Sequence, residues 1–276
     1  MIKLSSPATK EFWEIPVLFE DEHLLAIDKP AGLLVSPDRY DPNRPNLMKL
    51  LHAGIEQGKP WAKERNLSYL MNAHRLDFQT SGVILLAKSK PVLIDLVSQF
   101  GAEKPHKVYV ALAHGAPPSD TFETDAKIAP NELRLGLMRI DPKKGKRSRT
   151  EFTVREKFGR VLLLECRPMT GRSHQIRIHL KSLRLPIVGD EDYGGQPLLL
   201  SSLKGGYRLK PGKTERPLIA RVALHAEKLV VTHPITKAEV TIEAAMPKDF
   251  RVAIKYLRLY ASGTAQPAVE ESDLNS

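Results

Sequence analysis

One carboxylate in this chain has a setting suited to chemistry. Asp77 lies in the run from His74 to Gly82, HRLDFQTSG, beside Arg75 and ahead of a Thr-Ser-Gly turn. Val83-Ile-Leu-Leu-Ala87 follows as a buried strand. An acid held at a strand's edge can act as a nucleophile or a general base. The same residue types also make turn caps and surface ion pairs, so this stretch alone leaves both readings open.

A second stretch sharpens the question. In Arg167-Pro-Met-Thr-Gly-Arg-Ser-His-Gln-Ile-Arg-Ile-His-Leu180 the spacing predicts a helix from His174 to about Leu183. Ser173 would be its cap, Ile176, Leu180 and Leu183 its apolar face, and Pro186 its stop. Arg177 falls in the first turn, where the helix dipole disfavours a cation, so a carboxylate or phosphate should face it. A third candidate is Tyr109. Alternation over Lys107–Ala113 puts Lys107, Tyr109 and Ala111 on one strand face, opposite Val108, Val110 and Leu112. Its ring is either half-buried packing or a stacking platform for a base. Lys29, in the turn Asp28-Lys-Pro-Ala-Gly32, is either a solvated side chain or a phosphate contact.

His74, His174 and His179 do not form a metal set, because the last two are five residues apart rather than four. No metal and no cofactor is expected. The acids of Gly189-Asp-Glu-Asp-Tyr-Gly-Gly195 read as caps or turn formers.

The 276 residues can bury a sizeable core. Lys plus Arg number 42 against 32 Asp plus Glu, a net charge of +10 that points to a polyanionic partner, nucleic acid first. Cys166 is the single cysteine, which excludes an internal disulfide and a cysteine zinc cluster and fits a reducing cytoplasm. No stretch approaches the roughly 18 apolar residues of a membrane span, and MIKLSSPATK lacks the apolar core of a signal peptide. A soluble cytoplasmic protein is expected.

The elements that must position these residues read as follows. Residues 1–16 are expected to form a polar, irregular N-terminal arm, residues 17–260 a single globular domain, and residues 261–276 a disordered tail. Helices are expected at 46–55, 91–100, 174–183 and 248–260. Residues 56–69 read as a loop in which Trp61 is either a core anchor or an exposed ring that stacks on a base. The basic run Lys143-Lys-Gly-Lys-Arg-Ser-Arg149 lies in a loop, as a solvated tip or an RNA-gripping finger. Strands follow at 150–155 and 161–165, an irregular connection at 196–219, and strands at 223–226, 228–232 and 239–243. Strands outnumber helices without regular βαβ alternation, which makes this an α+β single domain on a large, mostly antiparallel mixed sheet with flanking helices.

With these segments in view, the chain resembles the RluA-type pseudouridine synthases, which isomerise uridine in RNA. The resemblance rests on HRLDFQTSGVILLAKS from His74, KVYVALAHG from Lys107 and RPMTGRSHQIRIHL from Arg167. DKPAGLLV at 28–35 and ALHAEKLVVTHPIT at 223–236 flank them, so it covers about 17–245 in the family's order. It implies that residues 17–260 are the catalytic domain with the pseudouridine synthase fold and a central RNA-binding cleft, and that a uridine of rRNA or tRNA is the substrate. It also implies that Asp77 is the nucleophile or base, Tyr109 the stacking ring, Arg177 the partner of Asp77, and Leu224 an apolar neighbour of the base. RNA contacts are expected from Arg75, His74, Lys29, Arg172, Lys143, Lys144 and Arg147, and the protein is expected to be a monomer. Many relatives carry a separate N-terminal domain resembling the ribosomal S4 module. Here about sixteen residues precede the catalytic fold, so the grip on RNA is expected from its own basic surface.

Two rivals use the same residues differently. A non-catalytic RNA-binding protein needs the charge but not the pairing of Asp77 with Arg177. A glycosidase working at the same ribose carbon ordinarily uses two carboxylates.

Overall fold

The computed structural model describes residues 1–38, 41, 44–209 and 212–261. The expected disordered tail lies, apart from Ala261, outside these residues, as do positions 210 and 211 of the long connection. The first half of the chain runs β1 (Ile2–Ser6), β2 (Glu11–Ile15), β3 (Val17–Glu20), β4 (Leu24–Lys29), α1 (Leu47–Glu56), α2 (Pro60–Lys63), β5 (Met71–Asn72), β6 (Ser81–Ala87), α3 (Lys90–Gly101) and β7 (His106–His114). The second half runs β8 (Thr121–Thr124), β9 (Ile128–Pro130), β10 (Met138–Ile140), β11 (Thr150–Phe158), β12 (Val161–Pro168), α4 (Gln175–Ser182), β13 (Leu224–Thr232), β14 (Glu239–Glu243) and α5 (Lys248–Tyr260).

Ten strands form one sheet in the order β3-β4-β6-β13-β7-β12-β11-β8, with β14 on β13 and β5 on β6. Among the described residues β6 and β13 are the sheet's one parallel pair. The α+β architecture and the mostly antiparallel sheet expected from the sequence are what the molecule has.

Every residue of β6 is buried, which its uninterrupted apolar run requires of a strand covered on both faces. Ile84 and Leu86 pack with Leu47 and Leu51 of α1 and with Trp61. Val83, Leu85 and Ala87 face α3 through Val92 and Leu96. A further core joins β7 and β12 to α4 and α5 through Leu112, Leu164, Leu180, Phe250 and Leu257. Asn46 caps α1 by accepting the Lys49 N–H at 3.0 Å.

Two readings of the sequence are corrected. Residues 1–16 are not irregular: β1 and β2 pair as a hairpin, and Ile2, Leu4 and Ile15 are buried in the core of α1 and Trp61. Alternating Ile2 and Leu4 bury one face, and Pro7 sits in the turn, where its missing N–H costs nothing. The strands expected at 223–226 and 228–232 are one strand, β13, with a register shift between Ala226 and Lys228.

Register across the sheet centre positions the site. Lys29 lies opposite Gly82, Gly82 beside Ala226, and Ala226 opposite Tyr109, so one row crosses four strands. Gly82 has φ +114°, and a Cβ there would stand 2.2 Å from the Ala226 carbonyl oxygen. Only glycine allows β6 to approach β13 this closely. The turn just before Gly82 therefore brings Asp77 near Tyr109.

Candidate active site

Asp77 opens a tight turn closed by the Thr80 N–H donating to its carbonyl at 3.1 Å. The turn is braced from two sides. Gly32 N–H donates to the Phe78 carbonyl at 2.9 Å. On the other side Gln79 accepts the Val222 N–H at 2.7 Å, and Arg221, paired with Asp249 at 2.7 Å, donates to the Gln79 carbonyl. The Asp77 carboxylate thus faces a cleft of about 280 Å³ on a fixed backbone, with Tyr109, Leu224, Arg177 and His174 among the lining residues.

Arg177 sits in the first turn of α4, as its sequence position predicts, and the anion facing it is threefold. Asp190 binds it bidentately, Nε to Oδ2 at 2.8 Å and Nη2 to Oδ1 at 2.7 Å. Asp192 accepts from Nη2 at 3.0 Å, and the Tyr193 ring lies 4.9 Å from the guanidinium carbon. Asp77 stands at 3.8 Å from Nη1. Burial opposes the guanidinium charge, but the Asp190 bonds outweigh it and hold the arginine charged above its ordinary range. The loop acids read as turn formers are in fact the arginine's anchor. The available signal was the anion that Arg177 required, yet sequence alone offered no way to choose among three aspartates.

The cap of α4 also differs from expectation. His174, not Ser173, is the N-cap, in a left-handed conformation with φ 52°. Gln175 serves the helix start instead, accepting the Arg172 N–H at 2.9 Å and the Thr170 hydroxyl at 2.7 Å.

Tyr109 is half-buried on β7 with Lys107 two residues before it. Burial, then the nearby Asp77 charge, push its phenol above the ordinary range, so the ring is neutral. Burial lowers Lys107 to about 8, and its Nζ donates to the Thr170 carbonyl at 3.0 Å. Leu224, at the start of β13, is buried against the cleft. Arg75 is exposed at the cleft with no partner among the described residues. Arg172 lines the same cleft and bonds Glu103 and the Arg147 carbonyl. Lys143 and Lys144 are exposed in a turn built on Asp141, and Arg147 is exposed beside Glu103.

Of two further expected RNA contacts, Lys29 is placed elsewhere, whereas His74 is half-buried and lines the cleft. Lys29 is fully buried rather than presented at a turn, because it ends β4 and points beneath the Asp77 turn. Its Nζ donates to the Pro30 and Leu33 carbonyls, each at 2.8 Å, so it cannot touch RNA. His74 stacks on Phe100 at 4.8 Å, and its Nε2 accepts the Leu85 N–H at 3.1 Å. Burial, then Lys107, lower it to about 3, leaving a neutral ring committed to β6.

Burial also lowers Lys29 to about 7 from 10.5, against the pull of Asp77. Between those values the unfolded chain holds a proton that the folded chain has lost, so this group favours folding increasingly as pH rises from 7 to 10.5. Lys29→Met should flatten the wild-type pH dependence of unfolding free energy in that window by a few kcal/mol, on the order set by the shift. Denaturant melts at pH 7 and pH 9.5 check this. Equal slopes in both proteins would show that Lys29 is not the group responsible.

Residues 23–182 match the family model described as RNA pseudouridylate synthase. Ribosomal large subunit pseudouridine synthase D of Xanthomonas campestris pv. campestris is 35% identical over 262 residues, covering 91% of this chain and 72% of that protein. Ribosomal large subunit pseudouridine synthase C of Escherichia coli is 32% identical over 244 residues, covering 88% and 70%. The structure of human RNA pseudouridylate synthase domain containing 4 shares the fold, with a TM-score of 0.64 at 23% identity over 88% of this chain and 92% of that one. The chain belongs to the RNA pseudouridylate synthase family. Its activity is the isomerisation of uridine to pseudouridine in RNA, as the resemblance of its motifs implied.

Proposed function

We propose that this protein isomerises uridines of large-subunit ribosomal RNA, with Asp77 as the reacting group. The observation that supports it best is convergence: Asp77, Tyr109, Arg177 and Leu224 come from four separate segments and line one cleft. The substrate class is that named for relatives at 32–35% identity. The catalytic unit runs over residues 17–260 with the N-terminal hairpin packed into its core, and acts as a monomer in the cytoplasm.

In this reading the uridine leaves its stack and enters the cleft. Tyr109 lies under the flipped base, with Leu224 as its apolar neighbour. Asp77 either attacks C1′ or removes the C2′ proton to give a glycal; in both routes the C1′–N1 bond breaks and the uracil carries away the electron pair. The uracil turns and C5 bonds to C1′, displacing the Asp77 carboxylate from C1′ in the first route and, in the second, with Asp77 returning its proton to C2′. The C5 proton is then lost and N1 gains one, so substrate and product are isomers. Arg177, held by Asp190, keeps a positive charge beside Asp77 throughout.

Wild-type protein should release tritium from C5-labelled uridine in large-subunit rRNA and less from tRNA. Absence of release, or free uracil among the products, would overturn the reading.

The grip on RNA is assigned to Arg75 and Arg172 at the cleft and to Lys143, Lys144 and Arg147 in the basic turn, with 196–219 as a further candidate surface. Changing Lys143, Lys144 and Arg147 together to Ala should weaken RNA binding and reduce the slope of log K against log salt by about 2, at roughly 0.7 per phosphate contact. An unchanged affinity and slope in filter binding would remove the basic turn from the interface.

A further inference from the structure

The cleft contains one side chain that the motif roles leave unexplained. His174 is the N-cap of α4 but makes no capping bond with its side chain, and it holds a left-handed backbone with φ 52° and ψ 21°. That conformation is uncommon for a residue other than glycine, though histidine adopts it more readily than most side chains, as asparagine and aspartate do. It turns the imidazole into the cleft instead of onto the helix, where Nε2 stands 4.0 Å from Asp77 Oδ1 and Nδ1 lies 2.9 Å from the Tyr193 hydroxyl.

The tautomer follows from the neighbours. The Tyr193 oxygen already accepts the Met138 N–H at 2.8 Å. Its own single proton has His174 Nδ1 as its acceptor, and a neutral imidazole that accepts at Nδ1 carries its proton at Nε2. Burial, opposed by Asp77, holds the ring below its usual pKa and therefore neutral. The N–H of His174 thus points to Asp77, and its direction is set from behind by Tyr193. Tyr193 is in turn fixed by β10, so the β9–β10 hairpin reaches the reacting carboxylate through two side chains.

We propose that His174 is a positioning residue for Asp77: a neutral Nε2–H donor, aimed by Tyr193, that fixes one carboxylate oxygen while Arg177 attends the other. The inference rests on Asp77 being the reacting group. In the free protein the gap of 4.0 Å exceeds a hydrogen bond, and it closes on the small movement that seats the uridine.

His174→Asn is the informative variant. Asparagine tolerates the left-handed backbone and keeps a group at the Nδ1 position for Tyr193, but has nothing at the place of Nε2. Its kcat for tritium release should fall by about 10- to 100-fold, the scale of a misplaced reacting group, with KM for RNA and melting temperature unchanged. Tyr193→Phe should lower kcat in the same direction. The double variant should be no slower than His174→Asn alone, because both changes break one chain of contacts. Full kcat in His174→Asn, or a double variant slowed by the product of the two single effects, would overturn the inference. If wild-type protein itself releases no tritium, it is the functional reading that fails instead.

Discussion

Asp77→Asn is expected to bind RNA as the wild type does and to lose tritium release by on the order of 10⁴-fold or more, the scale seen when a group that bonds to substrate is removed. The substitution keeps the shape of a side chain that is about one-fifth exposed and has the Arg177 guanidinium at 3.8 Å and the neutral His174 ring at 4.0 Å. No short hydrogen bond is broken, and stability should change by no more than about 1 kcal/mol. What disappears is the charge. An amide can neither attack C1′ nor take the C2′ proton, so both routes stop at the same residue. Filter binding and tritium release on the same preparation separate affinity from chemistry. Turnover within tenfold of wild type would move the reacting group away from Asp77.

Arg177→Met should act on stability and activity together. Asp190 is fully buried and both its oxygens are held by the guanidinium, so losing Arg177 leaves a buried carboxylate without its partner. The expected destabilisation is about 3–5 kcal/mol in a denaturant melt. Adding Asp190→Asn removes the stranded charge and should restore most of that stability. Activity should stay lost, because no cation then faces Asp77. If the double variant recovered turnover along with stability, Arg177 would be a scaffold for the loop and nothing more.

The contrast between these aspartates shows what was legible in the sequence. Asp77, Tyr109 and Arg177 stand in ordered segments whose family pattern can be read, and the helix dipole argument asked for an anion near Arg177. Which anion was a question of tertiary structure. Asp190 and Asp192 sit in a glycine-rich loop where acids commonly cap turns, and nothing local distinguishes a capping acid from a buried ion-pair partner. Lys29 went astray for the opposite reason. Its neighbours Pro30 and Gly32 signal a turn, and a turn lysine is normally solvated. The carbonyls around its Nζ, those of Pro30, Leu33 and Phe78, are gathered only when the first strands meet the Asp77 turn. The N-terminal hairpin was missed because two prolines and few apolar residues outweighed the alternation of Ile2 and Leu4.

The row that crosses from Lys29 through Gly82 and Ala226 to Tyr109 also has a bearing on how the chain folds. Its middle step is the parallel pairing of β6 with β13, where Ser81 meets His225, 144 residues away in sequence, in a buried hydrogen bond of 2.9 Å. Contacts of such high sequence separation close slowly, since the intervening loop must be ordered before the pairing rewards it. The local hairpins can form early, but Asp77 and Tyr109, proposed to react and to stack, are brought together only when this long-range pairing closes. Recovery of turnover should therefore trail recovery of secondary structure during refolding. A nascent chain that has not yet delivered β13 holds Asp77, Tyr109 and Arg177 and still lacks a site.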